Sequence, residues 1–304
     1  MTENYSHIPV MLDEVIDVLS PEDGKTYVDC TFGTGGYSQA ILQKADCILH
    51  AIDRDDNAFS YAQELKERFP TSFIFHHDKF SNLAQLGVKE ADGIIFDIGV
   101  SSPQLDNPER GFSFAKEGKL DMGMGLNDLS AKDIVNGFSE SDLADLIYEY
   151  GEEPFSRKIA KAIVNQRKKK IIETTTELAD IIHKTIGNKG KTDSATRTFQ
   201  AIRIYVNDEL NELSKALSSA FSLLKKDGRL IVVTFHSLED RIVKKFFNQL
   251  AGKNESVSRY MPILGKNQRK TIMAYATHLI KPGKSEIARN PRSRSAKLRY
   301  LKKV

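Results

Sequence analysis

Short apolar runs alternate with stretches of helical periodicity along the amino-terminal part of the chain. The apolar runs predict strands, at 27–30, 47–52, 72–76 and 93–96. The periodic stretches predict helices, at 10–19, 37–43 and 57–69. Strands and helices in alternation are typical of a parallel, doubly wound sheet with helices on both faces.

The alternation stops in the middle of the chain, where the pattern predicts short helices without strands, at 131–138, 141–150, 154–167 and 176–186. Strand character returns at 229–234, and the segments 273–280 and 296–301 predict an antiparallel terminal hairpin. We therefore predict an α/β core in two parts, 1–104 and 194–304, with an all-helical domain, 105–193, inserted between them. The insertion follows the fourth strand, at the edge of the sheet where ligands bind, so we expect it to recognise the substrate.

A glycine-rich turn follows the first predicted strand. Gly33, Gly35 and Gly36 carry no Cβ, so the backbone can approach a bound molecule closely. Asp53 ends the second strand roughly 20 residues beyond the turn, where an acid accepts hydrogen bonds from a ribose diol. Together these residues predict a pocket for a nucleoside cofactor.

The residues around the turn bear on which cofactor the pocket binds. Ser38 stands where the dinucleotide fingerprint has its third glycine, so that fingerprint is incomplete. Asp29, just before the turn, would repel a pyrophosphate but attracts the ammonium and sulfonium groups of S-adenosylmethionine. The sequence therefore favours S-adenosylmethionine, and an NAD-dependent oxidoreductase is the first alternative.

Two further residues follow predicted strands at the same edge of the sheet. Asp97 ends the fourth strand, where its carboxylate can accept hydrogen bonds from an exocyclic amine during methyl transfer. A helix cap or a contact with the cofactor explains Asp97 equally well. His236 is followed by Ser237 and acids, but sequence neighbours rarely form a catalytic triad, so we expect His236 to line the pocket.

Composition and charge narrow the range of partners. The chain has 304 residues, 40% of them hydrophobic and 28% charged, and a net charge of only +3. Two basic runs without acids, 157–170 and 289–304, nevertheless predict phosphate-binding surfaces. Phe112 and Phe114 are candidates either for stacking an extruded base or for core packing.

Cysteine spacing and hydropathy argue against other classes of protein. Cys30 and Cys47 lie in predicted buried strands without the spacing of metal ligands, and we expect no metal site. No stretch reaches the roughly 18 apolar residues of a membrane span, and we find no signal peptide. We therefore expect a cytoplasmic protein with no membrane partner.

Longer motifs resemble those of one family, the ribosomal RNA small subunit methyltransferase H family, also called MraW. The matching segments include Asp-Cys-Thr-Phe-Gly-Thr-Gly-Gly-Tyr-Ser at 29–38, Asp-Ile-Gly-Val-Ser-Ser-Pro-Gln-Leu-Asp at 97–106 and Phe-His-Ser-Leu-Glu-Asp-Arg at 235–241. Others lie at 110–114, 195–204 and 290–299, in the order that the family has them. The match therefore extends over nearly the whole chain.

The resemblance implies a class I S-adenosylmethionine-dependent methyltransferase fold with a helical insertion. It also implies N4-methylation of a specific cytidine in the decoding region, at the P site, of 16S rRNA, and we expect the assembled small subunit as substrate. By position it implies these cofactor contacts: Gly35, Gly36, Tyr37, Asp53, Phe80, Asp97 and Gln104. Phe80 would lie against the adenine, and Asp97 would then serve the cofactor rather than the amine.

Two positions depart from the family pattern. Tyr37 stands where the family usually has histidine, and Gly123 stands where it usually has arginine. If that arginine contacts RNA phosphate, the lysines at 168–170 would have to replace it. These departures keep open a second alternative, a non-catalytic ribosome-assembly factor that retains the pocket. The catalytic base and the oligomeric state stay open.

Overall fold

The structure is a computed structural model, and it describes residues 9–188, 190, 192–253, 272–276 and 279–304. The chain divides into two compact units. The core unit consists of Met1–Gly99 and Leu210–Val304, and the helical unit is Val100–Glu209. Each unit has a hydrophobic core of its own.

The core unit contains a seven-stranded sheet. Its strands are β1 (Thr26–Asp29), β2 (Ile48–Asp53), β3 (Phe73–His77), β4 (Ala91–Asp97), β5 (Leu224–Thr234), β6 (Ala274–Ala276) and β7 (Lys297–Lys303). They lie in the order β3-β2-β1-β4-β5-β7-β6. The strands β1 to β5 are parallel, whereas β7 is antiparallel to both β5 and β6. The strand order reverses direction between β1 and β4, which is where sheets of this kind bind ligands.

Helices occupy both faces of this sheet and build the helical unit. In chain order they are α1 (Leu12–Leu19), α2 (Gly36–Lys44), α3 (Ala58–Arg68), α4 (Ser102–Asp106), α5 (Ala131–Gly137), α6 (Glu140–Gly151), α7 (Ser156–Arg167), α8 (Thr175–Ile186), α9 (Thr196–Asn207), α10 (Glu209–Leu223), α11 (Ser237–Leu250) and α12 (Lys284–Arg289). Short 3₁₀ helices lie at Phe80–Gln85, Pro108–Arg110 and Pro291–Ser295.

The two faces of the sheet follow from the alternation of side chains along the strands. Ile95 of β4 and Ile231 of β5 join the core that α1, α2 and α3 cover. Their neighbours Ile94 and Phe96 point to the opposite face, into the core formed with α10 and α11. The predicted doubly wound α/β fold is therefore confirmed.

The carboxyl-terminal strands differ from the prediction in detail. The residues Lys-Lys-Asp-Gly at 225–228 are typical of a turn, but β5 begins at Leu224 and holds them as a bulge, with Asp227 at φ 66°. The predicted terminal strands are antiparallel neighbours, yet they do not form a simple hairpin, because α12 and a 3₁₀ helix lie between β6 and β7. Residues 277–278 of the predicted hairpin lie outside the described residues.

The helical unit is larger than the insertion that the sequence predicted at 105–193. It extends over Val100–Glu209 because α9 contributes Phe199 and Ile202 to the same core as α5, α6, α7 and α8. Side-chain caps begin several of its helices: Ser130 caps α5, Ser139 caps α6 and Thr174 caps α8. Across the described parts of both units, no helix combines the length and apolar character that a membrane crossing requires.

Candidate cofactor site

The turn between β1 and α2 has the close-packed geometry that glycine permits. Gly33 and Gly35 have φ of 55° and 82°, which residues with a Cβ rarely adopt. A Cβ on Gly36 would lie 2.1 Å from Cγ of Pro9. The amide of Gly33 donates to Oδ2 of Asp53 at 2.7 Å, so the turn is tied to the end of β2.

Asp53 keeps hydrogen-bonding capacity for a ligand. Its Oδ2 accepts from Gly33, and its Oδ1 accepts from the amide of Asp55 at 2.9 Å. The amide of Arg54 donates to the same carboxylate. A carboxylate has about four acceptor positions, so Asp53 can accept one more hydrogen bond, for example from a ribose hydroxyl. Burial raises the pKa of Asp53 although these amides favour its ionised form.

Asp29 ends β1 with no exposed surface. Its Oδ2 accepts from the hydroxyl of Ser38 at 2.7 Å, and its Oδ1 accepts from the amide of Thr31 at 3.1 Å. Burial raises the pKa of Asp29 to about 6. Ser38, which replaces the third glycine of the dinucleotide fingerprint, therefore holds this acid in place.

Asp97 ends β4, the neighbour of β1 across the switch in strand order. Its amide donates to Oγ1 of Thr31 at 2.7 Å, and the hydroxyl of Tyr37 lies close enough to its carboxyl to favour the ionised form and so lower its pKa. The carboxyl oxygen Oδ1 is buried and has no partner among the described residues. Burial, followed by the nearby carboxyl of Asp29, raises the pKa of Asp97 to about 8. A buried acceptor without a partner is costly, so this oxygen is suited to a ligand that brings a donor or a positive charge.

Two more carboxyl groups surround Asp97, and both raise its pKa. Glu239 of α11 is fully buried, and its Oε2 accepts from the amides of Phe235 at 2.8 Å and His236 at 3.2 Å. Glu286 of α12 accepts from the amide of Met11 at 2.6 Å. This edge of the sheet is therefore rich in acids, and such a site attracts cations.

The sequence pattern did not indicate these two acids as site residues. Glu239 reads there as a first-turn acid of a helix, which it also is. Glu286 reaches the site only because α12 packs near the start of α1, 275 positions away along the chain. A contact between residues so far apart along the chain cannot be predicted from the local sequence pattern.

The other predicted cofactor residues lie in different places. Phe80 begins the 3₁₀ helix that follows β3, and its half-buried ring packs edge-on against Phe96, with centroids 5.7 Å apart. Gln104 belongs to the helical unit, where its Oε1 accepts from the amide of Ser101 at 2.9 Å and caps α4. The core unit thus brings together Gly33, Gly35, Gly36, Tyr37, Asp53 and Asp97, and the role of Gln104 stays a prediction.

The remaining candidate residues, His236, Phe112 and Phe114, lie among other side chains of the protein. Nε2 of His236 lies 2.8 Å from Oε1 of Glu239 without hydrogen-bond geometry, and neither ring nitrogen has a hydrogen-bond partner among the described residues. Phe112 is buried in the core of the helical unit, and Phe114 packs on Phe199 with centroids 4.7 Å apart. These contacts favour core packing over base stacking for both phenylalanines.

The first basic run, 157–170, splits into structural and exposed cations. Arg167 donates to the carbonyls of Val135 at 2.7 Å and Phe138 at 2.5 Å, which ties α7 to the end of α5. Lys170 is paired with Glu177 at 2.5 Å. The exposed lysines of the run are Lys158, Lys161, Lys168, Lys169 and Lys170.

The second basic run, 289–304, divides in the same way. Lys297 and Arg299 of β7 both bind Asp240, at 3.1 Å and 2.7 Å. Lys302 pairs with Asp227 at 2.8 Å. The exposed cations are the arginines of α12 and the following 3₁₀ helix, namely Arg289, Arg292 and Arg294.

Comparison with known proteins gives a match over nearly the whole chain. The model of the MraW methylase family matches residues 4–304. Ribosomal RNA small subunit methyltransferase H of Rickettsia bellii is 51% identical over 301 residues, which are 98% of this chain and 99% of that protein. The protein of the same name from Rickettsia canadensis is 49% identical over 304 residues, 98% of each chain. The solved structure of an rRNA methylase from Streptococcus thermophilus is 12% identical, covers 96% of this chain and 93% of that one, and has a TM-score of 0.42, too low to bear on function.

Proposed function

This chain belongs to the MraW methylase family, and we propose that it methylates N4 of one specific cytidine in the decoding region of 16S rRNA. Membership makes it an S-adenosylmethionine-dependent methyltransferase of ribosomal RNA. The proposal adds the base, its position at the P site, and the assembled small subunit in the cytoplasm as the substrate. The NAD-dependent oxidoreductase considered from the sequence is thereby set aside.

The assignment of the pocket rests on the buried Oδ1 of Asp97, which lies within a group of acids and has no partner in the described part of the chain. S-adenosylmethionine supplies a methyl group on a positively charged sulfur and also carries an ammonium group. Asp29, Glu239 and Glu286 place further acidic groups around Asp97, and a cation bound there would lower the pKa of Asp97 and favour its carboxylate. The residues present therefore fit the cofactor.

Each remaining pocket residue has a role that its contacts support. The glycine turn lets the backbone approach the ligand, and it leaves no room for side chains, because a Cβ on Gly35 would clash with Phe32 and one on Gly36 with Pro9. Asp53 accepts a hydrogen bond from a ribose hydroxyl with the acceptor position that the amides of Gly33, Arg54 and Asp55 leave available. The ring of Phe80 packs against the adenine.

We assign Asp97 to the cofactor and not to the target amine. Its amide donates to Thr31, and Tyr37 lies close enough to its carboxyl to affect its pKa; both residues belong to the glycine-rich segment. The buried Oδ1 of Asp97 has no partner among the described residues, and the ammonium group of the cofactor would supply the donor that it lacks. The amine is then oriented by other groups, and we assign no residue as a catalytic base.

The exposed arginines of the second basic run support an RNA partner. Arg289, Arg292 and Arg294 are exposed on the segment that also contains Glu286. Glu286 lies close enough to Asp97 to raise its pKa. Phosphates bound by these arginines would therefore lie beside the cofactor pocket of the core unit, as methylation of an RNA base requires.

Nucleoside mass spectrometry tests the proposal. Purified protein and S-adenosylmethionine are incubated with unmethylated small subunits and, in parallel, with naked 16S rRNA. We expect N4-methylcytidine at one site, with the subunits as the better substrate. Binding of S-adenosylhomocysteine without methylation of either substrate would contradict the proposal and favour the assembly factor. Methylation of a different atom would leave the family intact and refute the assignment to N4.

A further inference from the structure

We propose that Phe235 and His236, the two residues that follow β5, form the subsite for the target base of the RNA. The ring of Phe235 stacks on the base, and the imidazole of His236 is hydrogen-bonded to the edge of the base. The inference deepens the proposed function and rests on it, because the subsite needs an RNA base as its ligand. It does not depend on which atom of that base is methylated.

The strand register brings Phe235 to the edge of the sheet where the cofactor site lies. Asp97 of β4 pairs with Val233 of β5, and the amide of Ile98 donates to the carbonyl of Val233 at 2.9 Å. Phe235 follows Val233 by two residues, as Gly99 follows Asp97. Phe235 and Gly99 therefore leave their strands side by side, next to the acid that we assign to the cofactor.

The ring of Phe235 lies against the backbone of Gly99. A Cβ on Gly99 would lie 3.0 Å from Cδ2 and 3.1 Å from Cε2 of the ring, which is closer than ordinary van der Waals contact. The amide of Phe235 donates to Oε2 of Glu239 at 2.8 Å, and this bond fixes the backbone at the end of β5. The ring is nevertheless only half-buried, so it retains surface for a ligand.

Nearby aromatic side chains are less suited to stack on a base. Phe32, Tyr37 and Phe96 lie in or beside the strands that end at this edge, but all three are buried. Phe80 is assigned to the adenine. A half-buried ring is what an extruded base requires, because stacking on an aromatic side chain replaces the stacking that the base loses in the RNA.

His236 supplies polar groups beside this ring. Its side chain is 10% exposed, and both ring nitrogens are buried without a hydrogen-bond partner in the described part of the chain. Nε2 lies 2.8 Å from Oε1 of Glu239, which also lacks a hydrogen-bond partner there. Buried polar groups are normally hydrogen-bonded, so this imidazole is suited to a ligand that brings hydrogen-bonding groups of its own.

The edge of a base matches what His236 offers. A neutral imidazole has one nitrogen that donates and one that accepts. Cytosine presents its N4 amine as a donor, and the acceptor nitrogen of His236 can take one of the amine hydrogens. Phe235 then fixes the plane of the base, and His236 fixes the direction in which N4 points.

Steady-state methylation of small subunits tests the stacking. Phe235→Leu should lower kcat/KM by about 10- to 100-fold, the scale of one base stacked on an aromatic ring. The loss should appear in kcat and not in KM, because phosphate contacts elsewhere position the RNA. Phe235→Tyr should retain most of the activity, since it keeps the ring. Phe246→Leu is the matched control, because Phe246 is also half-buried but packs on Phe221.

The affinity for S-adenosylhomocysteine should be unchanged in each of these variants. Unchanged kcat in Phe235→Leu overturns the proposal, and so does an equal loss in Phe235→Tyr. A parallel loss of S-adenosylhomocysteine binding would show that Phe235 supports the cofactor pocket, which also overturns it.

His236→Leu separates binding of the base from a role in the fold. The imidazole lacks a hydrogen-bond partner in the free protein, so an apolar side chain should leave the urea midpoint unchanged or raise it. We expect kcat/KM to fall by about tenfold for the lost hydrogen bond to the base. A lower midpoint assigns His236 to the fold and overturns its part in the proposal, as does unchanged kcat/KM.

The unaltered chain separates this inference from the proposed function. If it methylates N4 of one cytidine and the variants match it, the subsite is refuted while the proposed function stands. If it methylates another atom and the variants lose activity as expected, the subsite stands and the assignment to N4 fails. No methylation by the unaltered chain overturns both.

Discussion

Backbone amides hold the acidic side chains of the cofactor site in place. Asp53, Glu239 and Glu286 each accept a hydrogen bond from an amide, and in each case the amide belongs to a loop or to the start of a helix. The site therefore depends on the path of the backbone as much as on the acids. The sequence indicated the glycines, Asp29, Asp53 and Asp97, because these residues lie at the ends of strands or shortly after one.

Replacing Asp53 tests its contact with the ribose. We expect Asp53→Ala to weaken binding of S-adenosylhomocysteine by about 1–3 kcal/mol, the scale of hydrogen bonds to a charged group. Asp56→Ala is the matched control, because Asp56 lies on the same loop with an exposed side chain beside His77. Isothermal calorimetry measures both variants. Unchanged affinity in Asp53→Ala would refute the ribose role.

The packing of Gly36 gives a prediction for stability. A Cβ at this position would lie 2.1 Å from Pro9, so Gly36→Ala forces the turn or the proline ring to move. We expect a loss of about 1–3 kcal/mol in the free energy of unfolding, as for other overpacked sites. Gly137→Ala serves as control, because a Cβ there would meet nothing within 4 Å. Urea denaturation compares them, and equal midpoints would show that the turn yields without cost.

The raised pKa of Asp97 predicts how stability depends on pH. Its folded pKa of about 8 exceeds the ordinary value of 3.8, so between these values the folded protein binds more protons than the unfolded chain. This contribution to stability is present at low pH and is lost as the pH rises toward 8. Cofactor-free Asp97→Asn should therefore lose less stability between pH 5 and pH 8 than the unaltered chain. Urea unfolding at several pH values measures the difference, and parallel curves would contradict the argument.

Single helices and strands show which parts of the fold local pattern can predict. The strands β1 to β4 and the helices between them follow from apolar periodicity, with ends that differ from the prediction by one or two residues. The bulge at the start of β5 escaped prediction because Asp227 and Gly228 have the signature of a turn, and only pairing with β4 keeps them within a strand. The role of α12 was equally hidden, since a long-range contact decides it.

The segment around α12 contributes Glu286 to the cofactor site and also exposes arginines, and this arrangement leads to a prediction for RNA binding. Replacing Arg289, Arg292 and Arg294 by alanine should flatten the dependence of RNA affinity on salt, by about 0.7–0.9 in slope for each phosphate that the variant no longer neutralises. Lys302→Ala is the control, because Lys302 already pairs with Asp227. Filter binding over a range of salt concentrations measures the slopes. An unaltered slope in the arginine variant would remove this segment from the RNA interface.

The same assay compares the two basic runs. Lys168→Ala with Lys169→Ala tests the exposed end of the first run, without disturbing Lys170 and its partner Glu177. A flatter slope in this variant is expected if the helical unit also contacts phosphates. The result separates a substrate interface on the core unit alone from one that both units share.

At the scale of the whole molecule, the helical periodicity of the sequence predicts a separate helical unit but not the residues at which that unit begins and ends. The helical unit extends to Glu209 because α9 packs into its core. The sequence of α9 does not show that this helix belongs to a different unit from α10. The boundary follows from the partners of each helix, which periodicity along a single helix does not reveal.

The separate core of the helical unit predicts independent folding. We expect residues 100–209, expressed alone, to give a helical circular dichroism spectrum and a cooperative thermal transition, since their apolar side chains pack on one another. Variant Ile202→Ala, in the middle of that core, should lower the transition temperature. A spectrum without a cooperative transition would show that the unit needs the rest of the chain.

The order of the strands has a consequence for the protein as it emerges from a ribosome. Synthesis makes β4 before the helical unit and β5 after it, so β4 waits for its neighbour while the whole of Val100–Glu209 is being made. The strand β6 is made before β7, and in the described part of the sheet its neighbour is β7. Until β7 arrives, the nascent chain carries an open edge at β5, the kind of edge that pairs with other chains. Translation that stalls between β5 and β7 would therefore leave an aggregation-prone product.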